Sequence, residues 1–268
     1  MRSKDLRIHD RPLKAAFAEA RTYLSRHLEG SLFRTQFPVG FMVRWLITRV
    51  ENTYVPGGTI LDLGGGFSLT NAALSKLGMN VYCADLMSDY FIHSSLKSAM
   101  TEQFDFLKKE GVRFIHCDLL EYDFKDFSDA SLDVVCSFHA FEHFHHSPRR
   151  VCEHAMRMLK PGGTFFLEIP NALNALKRLR VLFGITNYLP YDAFWNSSRW
   201  FGHVREYCLG DITELASHLQ FSRYRIFGLN YYGTLYSKLH YSFLARIVDH
   251  GLRARPGLCA ALYLKGIK

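Results

Sequence analysis

The sequence predicts an α/β fold in which a mainly parallel sheet carries helices on both faces. Short apolar runs, which suit buried strands, alternate along the chain with longer segments of helical periodicity. The first of these runs, at 59–63, leads directly into three consecutive glycines at 64–66. Loops at the carboxyl ends of parallel strands form the ligand-binding edge of such folds. We therefore expect a ligand at this glycine turn.

Each element follows from the same pattern, taken in chain order. Two helices, near residues 12–29 and 41–52, precede the sheet, and Pro56-Gly57-Gly58 marks the entry to the first strand. Strands are then predicted near 59–63, 80–84, 113–117, 132–138, 164–169, 223–229 and 258–264. Helices between them are predicted near 69–77, 89–110, 147–159 and 211–219. Alternation of this kind joins parallel neighbours through helical crossovers.

The composition fits one globular domain. The chain has 268 residues, 48% of them hydrophobic, so it can bury a sizeable core. No apolar run approaches the roughly 18 residues of a membrane-spanning helix. Charged residues at positions 4, 5, 7 and 10 argue against a secretory signal. The six cysteines form no C-x-x-C pair, which favours the reducing cytoplasm over a disulfide framework.

The glycine turn is the strongest candidate for a binding loop. Gly64, Gly65 and Gly66 allow a ligand to lie against the backbone, and the helix that follows points its free amides at the loop. A dinucleotide fingerprint would require glycine at position 69, where Leu69 stands. Asp85 ends the second strand about 20 residues later, where a carboxylate binds both hydroxyls of a ribose in doubly wound sheets.

At this point an ordered set of motifs resembles the class I S-adenosylmethionine-dependent methyltransferases, over roughly residues 58 to 170. The glycine motif at 62–66, the acidic end of the second strand at Asp85 and the third strand at 114–118 carry the resemblance. The fourth strand at 132–138 and the turn at 159–164 continue it. One departure is Ser68, where many relatives carry glycine.

The resemblance implies a Rossmann-like seven-stranded, mainly parallel sheet whose last strand is antiparallel, with S-adenosylmethionine as the methyl donor. It implies that Asp85 binds the ribose, that Asp118 lies near the adenine and that the fourth strand faces the methyl donor. The donor-binding residues that we predict are Asp62, Gly64, Gly65, Gly66, Asp85, Leu86, Asp118, Leu119 and Phe138.

The same resemblance divides one methyltransferase domain, 1–268, into four parts. These are an N-terminal helical extension at 1–56, a donor-binding core at 57–170, an acceptor-side insertion or lid at 171–210, and the C-terminal part of the sheet at 211–268.

A histidine-rich segment, 137–146, follows the fourth strand and should border the methyl donor. If it is helical, His139, Glu142 and His143 share one face. The E-x-x-E-H pattern of ubiquinone-pathway O-methyltransferases, which is tied to a metal, looks similar, but His139 stands in place of its first glutamate. We therefore predict no metal. Two interpretations remain open: the Glu-His pair stabilises the loop, or His139 or His143 contacts the acceptor.

The segment 200–207 contains a G-H-x-R-x-Y pattern. His203 suits general-base chemistry because an imidazole titrates near neutral pH, and Arg205 could pair with an acidic group on the acceptor. Alternatively, the segment forms a polar knot that orders the loop, with Arg205 bonded to Glu206 or to a helix end. Asp211 is the predicted N-cap of the next helix.

The insertion near 171–200 combines leucines at helical spacing, basic residues on other faces, and a cluster of Tyr, Phe and Trp. Long aromatic insertions beside active sites act as lids and acceptor clamps, whereas the simpler alternative is a helical cap that packs on the sheet.

The net charge of +8 could serve a nucleic acid, an anionic membrane or a phosphorylated substrate. The fourth strand lacks the N/D-P-P-aromatic motif of base amino-methyltransferases, and no Pro-Cys nucleophile pair occurs, so nucleic acid is disfavoured. The segment 231–252 is rich in Tyr, Leu and Phe with interspersed basic residues, so it either contacts a membrane or packs on the last strands.

Together these features predict a cytoplasmic S-adenosylmethionine-dependent methyltransferase, with contact to the cytoplasmic face of a membrane as an option. The acceptor favoured by the resemblance at 169–171 and 202–207 is a hydroxyl of a sugar or glycan precursor. His203, His143 and Glu142 are the predicted catalytic residues. The alternatives are a small-molecule O- or N-methyltransferase of quinone or secondary metabolism, a nucleic-acid methyltransferase, and a donor-binding partner protein without catalysis.

Overall fold

The N-terminal extension is helical and packs against the sheet. The computed structural model describes residues 11–28, 39–87, 97–197, 200, 202–230 and 243–268. Helices α1 (Arg11–Leu28) and α2 (Val39–Thr53) match the two predicted helices to within two residues where they are described. Leu24, Leu46 and Val50 bury their side chains in the core, which fixes α1 and α2 to the domain.

The described residues form a seven-stranded sheet of order β3-β2-β1-β4-β5-β7-β6. Its strands are β1 (Thr59–Leu63), β2 (Asn80–Asp85), β3 (Arg113–His116), β4 (Leu132–Phe138), β5 (Leu159–Pro170), β6 (Arg223–Leu229) and β7 (Ala261–Ile267). β7 runs antiparallel to both of its neighbours, and the remaining pairs are parallel. This confirms the predicted mainly parallel sheet with an antiparallel last strand.

Helices cover both faces of this sheet. They are α3 (Leu69–Lys76), α4 (Lys97–Lys109), α5 (Arg149–Met158), α6 (Ala175–Leu182), α7 (Tyr191–Trp195), α8 (Leu209–His218) and α9 (Phe243–Arg253). One apolar core lies between the sheet and α1 to α4, and a second lies between the opposite face and α5 with α8. The carboxyl ends of β1, β2 and β4 therefore open between two packed layers, where a ligand site is expected.

Three boundaries differ from the predictions. β5 begins at Leu159 and not near 164. Leu159 already pairs with Leu132 of β4, and the next paired residue of β5 is Thr164, so the glycine turn between them is an irregularity within the strand. β7 begins at Ala261 and not near 258, because a 3-10 turn at Pro256–Leu258 precedes it. Asp211 is not the N-cap of α8. Cys208 is, and the Asp211 carboxylate accepts a hydrogen bond from its backbone amide at 2.7 Å.

Backbone contacts join the two ends of the insertion. Asn171 pairs with Tyr207 as an isolated bridge, and the amide of Ala172 donates to the carbonyl of Tyr207 at 2.8 Å. The buried Asn171 side chain also donates to the carbonyls of Gly257 and Cys259. The residues between these anchors therefore leave the sheet and return to the same point, at the end of β5.

No helix in the described ranges is long and apolar enough to cross a membrane. Of the predicted membrane-contact segment 231–252, residues 231–242 lie outside the described residues, as do residues 89–96 of the predicted fourth helix.

Candidate active site

The glycine loop after β1 makes a turn that side chains would obstruct. Gly64 has φ +75° and Gly66 has φ +49°, a left-handed conformation that favours glycine. A Cβ on Gly64 would lie 2.3 Å from the Cβ of Ala140, and one on Gly65 would lie 2.2 Å from Oδ2 of Asp62. Ser68 caps α3 by accepting a hydrogen bond from the Thr70 amide, which gives a structural role to the serine found where relatives carry glycine.

Asp62 lies fully buried beneath this loop. Its Oδ2 accepts a hydrogen bond from the Asn71 side chain at 2.9 Å, so it ties β1 to α3. Burial raises the pKa of the Asp62 carboxyl to about 7. The lining of the cavity described below does not include it, so its contact with a donor stays a prediction.

Asp85 stands at the end of β2, opposite the loop. Its Oδ2 accepts a hydrogen bond from the Gly66 amide at 2.9 Å, and only 6% of the residue is exposed. Burial raises the pKa of Asp85 to about 6, so it is mainly ionised at neutral pH. Asp118 follows β3 on the exposed rim, where its Oδ1 accepts from the Leu120 amide.

One cavity joins the predicted donor and acceptor sides. Its lining comes from the ends of β1 and β2, the residues after β3 and β4, and the insertion: Gly64, Asp85, Leu86, Cys117, Asp118, Leu119, Leu120, His139, Ala140, His143, Phe144, His145 and Trp200. The predicted residues Leu86 and Leu119 are among these. Phe138 is not. Its ring lies 4.4 Å from the guanidinium carbon of Arg49, so its predicted donor contact remains untested.

The histidine-rich segment is a short 3-10 turn, Phe141–His143, and not the helix considered from the sequence. His139 has φ +58°, so it departs from helical geometry just before the turn. Its Nε2 lies 2.9 Å from Oε1 of Glu168, and its Nδ1 lies 3.3 Å from Oε1 of Glu142. Burial acts to lower the pKa of His139, but Glu168 and Glu142 outweigh burial and raise it to about 9.

A buried charge cluster that sequence reasoning missed supports His139. Glu168, near the carboxyl end of β5, accepts hydrogen bonds from Trp45 Nε1 and Arg49 Nε, both at 2.6 Å. Burial acts to raise the pKa of Glu168, but Arg49 and His139 hold it well below its usual range. The sequence did contain one indication of this cluster, because Glu168 lies within an otherwise apolar strand and a buried charge requires a partner. Helix α2 therefore stabilises the cavity wall, because Trp45 and Arg49 bind the carboxylate that holds His139.

His203 is held next to the 3-10 turn by the backbone of the two residues that follow it. The amides of Val204 and Arg205 both donate to the carbonyl of Glu142, at 2.7 and 3.2 Å. The rings of His143 and His203 meet edge to face, with centroids 5.1 Å apart. The three predicted catalytic residues Glu142, His143 and His203 therefore converge, and one ligand atom from each lies within 4.8 Å of the others. We call this group the Glu142–His143–His203 cluster.

The rest of the G-H-x-R-x-Y segment forms a polar network. His203 Nδ1 lies 2.9 Å from Oε1 of Glu206, which also pairs with Lys177 of α6. Burial acts to raise the pKa of Glu206, but His203 and Lys177 lower it. Arg205 donates to Asp211 at 2.9 Å, which favours the interpretation that Arg205 orders the loop at a helix start.

Trp200 brings an aromatic face to the cavity. Its indole nitrogen donates to the carbonyl of His203 at 3.3 Å, and Phe194 packs edge to face against it with centroids 5.1 Å apart. A Cβ on Gly202 would lie 2.2 Å from the Trp200 ring, so the glycine makes room for the indole. The insertion therefore contributes directly to the wall near His143.

The outer side of the insertion is unusually apolar. Leu182, Phe183, Tyr188 and Trp195 are between 72% and 84% exposed. No residue of α6 or α7 is buried. The helical spacing was predicted correctly, but the alternative of a cap packed on the sheet is wrong, because this apolar side faces outward.

This arrangement suits group transfer between two bound molecules. Gly64 and Asp85 line one end of the cavity, and Trp200 and His143 line the other. His203 and the buried Glu142 lie next to His143, outside the lining. The first end can bind a ribose-bearing molecule, and the second can take a proton or bind a cation.

Comparisons with known proteins agree with this geometry. Residues 61–167 match a protein family described as a methyltransferase domain. An S-adenosylmethionine-dependent methyltransferase from Archaeoglobus fulgidus is 14% identical, with 96% of this chain and 98% of that chain covered and a TM-score of 0.53. Another from Thermotoga maritima is 13% identical, with 95% and 91% covered and a TM-score of 0.50.

Phosphoethanolamine N-methyltransferase 2 from Haemonchus contortus, in complex with S-adenosyl-L-methionine, is 15% identical with a TM-score of 0.51. Of this chain 92% is covered, but only 56% of that longer protein. At these identities the likeness is one of fold. A search of curated protein sequences gave no significant match.

Proposed function

We propose that this chain, a class I S-adenosylmethionine-dependent methyltransferase, transfers the methyl group to a hydroxyl of a sugar or glycan precursor. The observation that carries the proposal is the cavity that begins at Gly64 and Asp85 and reaches Trp200 and His143. His143 is the member of the Glu142–His143–His203 cluster that lines this cavity, and the other two lie next to it. Methyl transfer is a displacement at a sulfonium carbon, in which the donor is already activated. The protein's remaining task is to orient the acceptor oxygen and remove its proton.

The donor half of the proposal rests on Gly64, Gly66 and Asp85. The ribose hydroxyls would donate to the Asp85 carboxylate, which the Gly66 amide already orients through Oδ2. The adenine would lie toward Asp118 on the rim, and the sulfonium toward the 3-10 turn. A methyl group bound there points to the acceptor end of the cavity.

The acceptor half rests on Trp200 and the histidines. An indole face stacks on the apolar face of a sugar ring while leaving its hydroxyls free. His143 lines the same cavity as Trp200, and its ring contacts that of His203, so His143 receives the hydroxyl proton with His203 and the buried Glu142 next to it. The polar knot around Glu206 then serves to hold His203 in place.

The exposed apolar side of the insertion supports contact with a membrane, which suits a lipid-linked glycan. Phe183 and Trp195 are more than 70% exposed, and α6 also carries the exposed basic residues Arg178 and Arg180. Aromatic and aliphatic side chains next to basic ones are typical of surfaces that lie in the headgroup region of anionic bilayers. We assign this contact to the insertion and no longer to 231–252.

Transfer of a labelled methyl group tests the acceptor. The protein is incubated with labelled donor and separate pools of nucleotide sugars, lipid-linked glycans, quinols, amines and RNA. Label in a sugar or glycan pool supports the proposal. Label in the quinol, amine or RNA pool replaces it with that acceptor class, and no label in any pool contradicts it. His203→Ala should lower kcat by about 10²–10⁴-fold with donor affinity unchanged, whereas His218→Ala, on the exposed end of α8, should match the wild type.

Vesicle sedimentation tests the membrane contact. The protein should bind phosphatidylcholine vesicles that contain phosphatidylserine more strongly than vesicles without it. The double substitution Phe183→Ser with Trp195→Ser should abolish this binding. Val248→Ser removes another exposed apolar side chain, on α9, and should leave binding unchanged. Equal binding of all three proteins would remove the insertion from the membrane contact.

A further inference from the structure

We propose that the Glu142–His143–His203 cluster is a binding site for a divalent transition-metal ion, with Zn²⁺ as the best-fitting ion. The catalytic role of this metal site rests on the proposed function. The presence of the site does not, because metal binding needs neither donor nor acceptor. It reverses the expectation from the sequence, which predicted no metal because His139 replaces a glutamate. The third ligand comes instead from His203, in a distant segment.

The ligand set is chemically suited to such an ion. Two imidazole nitrogens and one carboxylate oxygen bind Zn²⁺ in tetrahedral sites that leave a fourth position open. His203 Nε2 lies 4.0 Å from Oε1 of Glu142. Two ligand atoms bound at about 2.1 Å to a tetrahedral ion lie roughly 3.4 Å apart. The cluster would therefore close by about 0.6 Å on binding, which a rotation of the His203 side chain can supply.

The state of Glu142 is the independent observation that points to a ligand. Glu142 is 0% exposed, yet neither of its carboxylate oxygens accepts a hydrogen bond from any part of the chain that the structure describes. The imidazole nitrogens of His139 and His203 lie 3.3 and 4.0 Å from its Oε1. The imidazole of His139 compensates part of the charge at Oε1, but Oε2 is buried without a hydrogen-bond partner, which is costly. Coordination of a cation would remove that cost.

A further carboxylate holds His203 in the orientation that a metal ligand requires. Nδ1 of His203 faces Glu206 at 2.9 Å, while Nε2 faces Glu142. A hydrogen bond from Nδ1–H to a carboxylate fixes the tautomer that leaves Nε2 as the electron-pair donor, an arrangement common in metal sites. Lys177 pairs with the other oxygen of Glu206 and so holds it in place. His139 does not belong to the group of side chains whose ligand atoms lie within 4.8 Å of one another, so we do not assign it as a ligand.

A bound ion would change the role of the two histidines from proton acceptor to metal ligand. Its open position would take the acceptor hydroxyl oxygen and lower the pKa of that hydroxyl, so the proton would leave to water and not to His143 or His203. A lone pair of that oxygen forms the new bond to the methyl carbon as the carbon–sulfur bond breaks. The electron pair of that bond stays on sulfur, so the sulfonium becomes a neutral thioether and the acceptor becomes its methyl ether.

Metal binding is tested on the full-length chain by stripping it with a chelator and titrating Zn²⁺ against a chromophoric chelator. We expect one Zn²⁺ per chain. Glu206→Gln, which removes the carboxylate charge that orients His203 and pairs with Lys177, should weaken binding by about 10–100-fold. Glu142→Gln and His203→Ala should each weaken it by more than that. His146→Ala, an exposed histidine of the same loop, should bind like the wild type.

Absence of stoichiometric Zn²⁺ uptake, or equal uptake by wild type and the Glu142 and His203 variants, would overturn the proposal. His203 is partly exposed, so its alanine variant remains informative if the Glu142 variant does not fold. Full methylation of a glycan by the stripped protein would remove the metal from catalysis while the proposed function stands. Zn²⁺ binding without any methylated glycan product would contradict the proposed function, while the metal site would stand.

Discussion

The buried pair between Arg49 and Glu168 makes the most quantitative prediction about how the N-terminal extension supports the site. Arg49→Met keeps most of the aliphatic volume that packs against Trp45 and Phe138, but it removes the charge beside a carboxylate that is 0% exposed. Removing one partner of a buried ion pair typically costs 3–5 kcal/mol. Because Trp45 and His139 still bond Glu168, we expect a loss near the lower limit, about 3 kcal/mol.

The pH dependence follows from the pKa of Glu168. The folded protein holds this pKa below its ordinary value of 4.5, so the carboxylate contributes stability above that pH and loses it as the pH falls further. Without Arg49, burial raises the pKa of Glu168, and protonation relieves the unpaired charge. The cost of Arg49→Met should therefore be smaller near pH 5 than near pH 8.

Urea unfolding of the wild type, Arg49→Met, Glu168→Gln and the double variant, followed by tryptophan fluorescence, measures these free energies. The double variant should lose less than the sum of the two single losses, because the pair is coupled. A cost below about 1 kcal/mol for Arg49→Met, or strict additivity, would refute the view that this pair secures α2 to the cavity wall.

Three further predictions concern the cavity itself. Asp85→Asn should weaken S-adenosylmethionine binding at least tenfold in calorimetry, and the wild-type affinity should fall as the pH drops below about 6, where Asp85 becomes protonated; a flat pH profile would argue against its role. Gly65→Ala should reduce donor binding and the urea midpoint together, because its Cβ would lie 2.2 Å from Asp62, and a variant that binds normally would show that the loop tolerates the contact. Trp200→Ala should raise KM for a sugar acceptor several-fold in steady-state assays while the donor KM stays constant, and a rise in the donor KM instead would place the indole at the other end of the cavity.

The residues at the donor end of the cavity could be predicted from the sequence, because the patterns that identify them are local. The strand before the glycine turn, the glycines themselves and Asp85 at the next strand end are defined by neighbouring residues and by the period of the elements. Parallel topology then brings these strand ends together without further information. The antiparallel last strand came from the family resemblance, and the structure confirms it.

The acceptor end depends on contacts between distant segments, which periodicity does not predict. Arg49 and Glu168 are 119 positions apart, and each is an ordinary charge until the fold places them at 2.6 Å. His203 reaches Glu142 only because two backbone amides bind the Glu142 carbonyl. The left-handed turn at His139 broke the helical face that would have grouped it with His143. The helix in the insertion was predicted, but its spacing could not show that its apolar side faces outward.

The central claim is that donor and acceptor meet between the glycine loop and the Glu142–His143–His203 cluster. A crystal structure with S-adenosylhomocysteine bound tests it most directly. We predict that the ribose hydroxyls lie within hydrogen-bond distance of Asp85, with the sulfur directed toward His143 and His203. A product bound elsewhere, or a sulfur turned away from the cluster toward the rim at Asp118, would contradict the account.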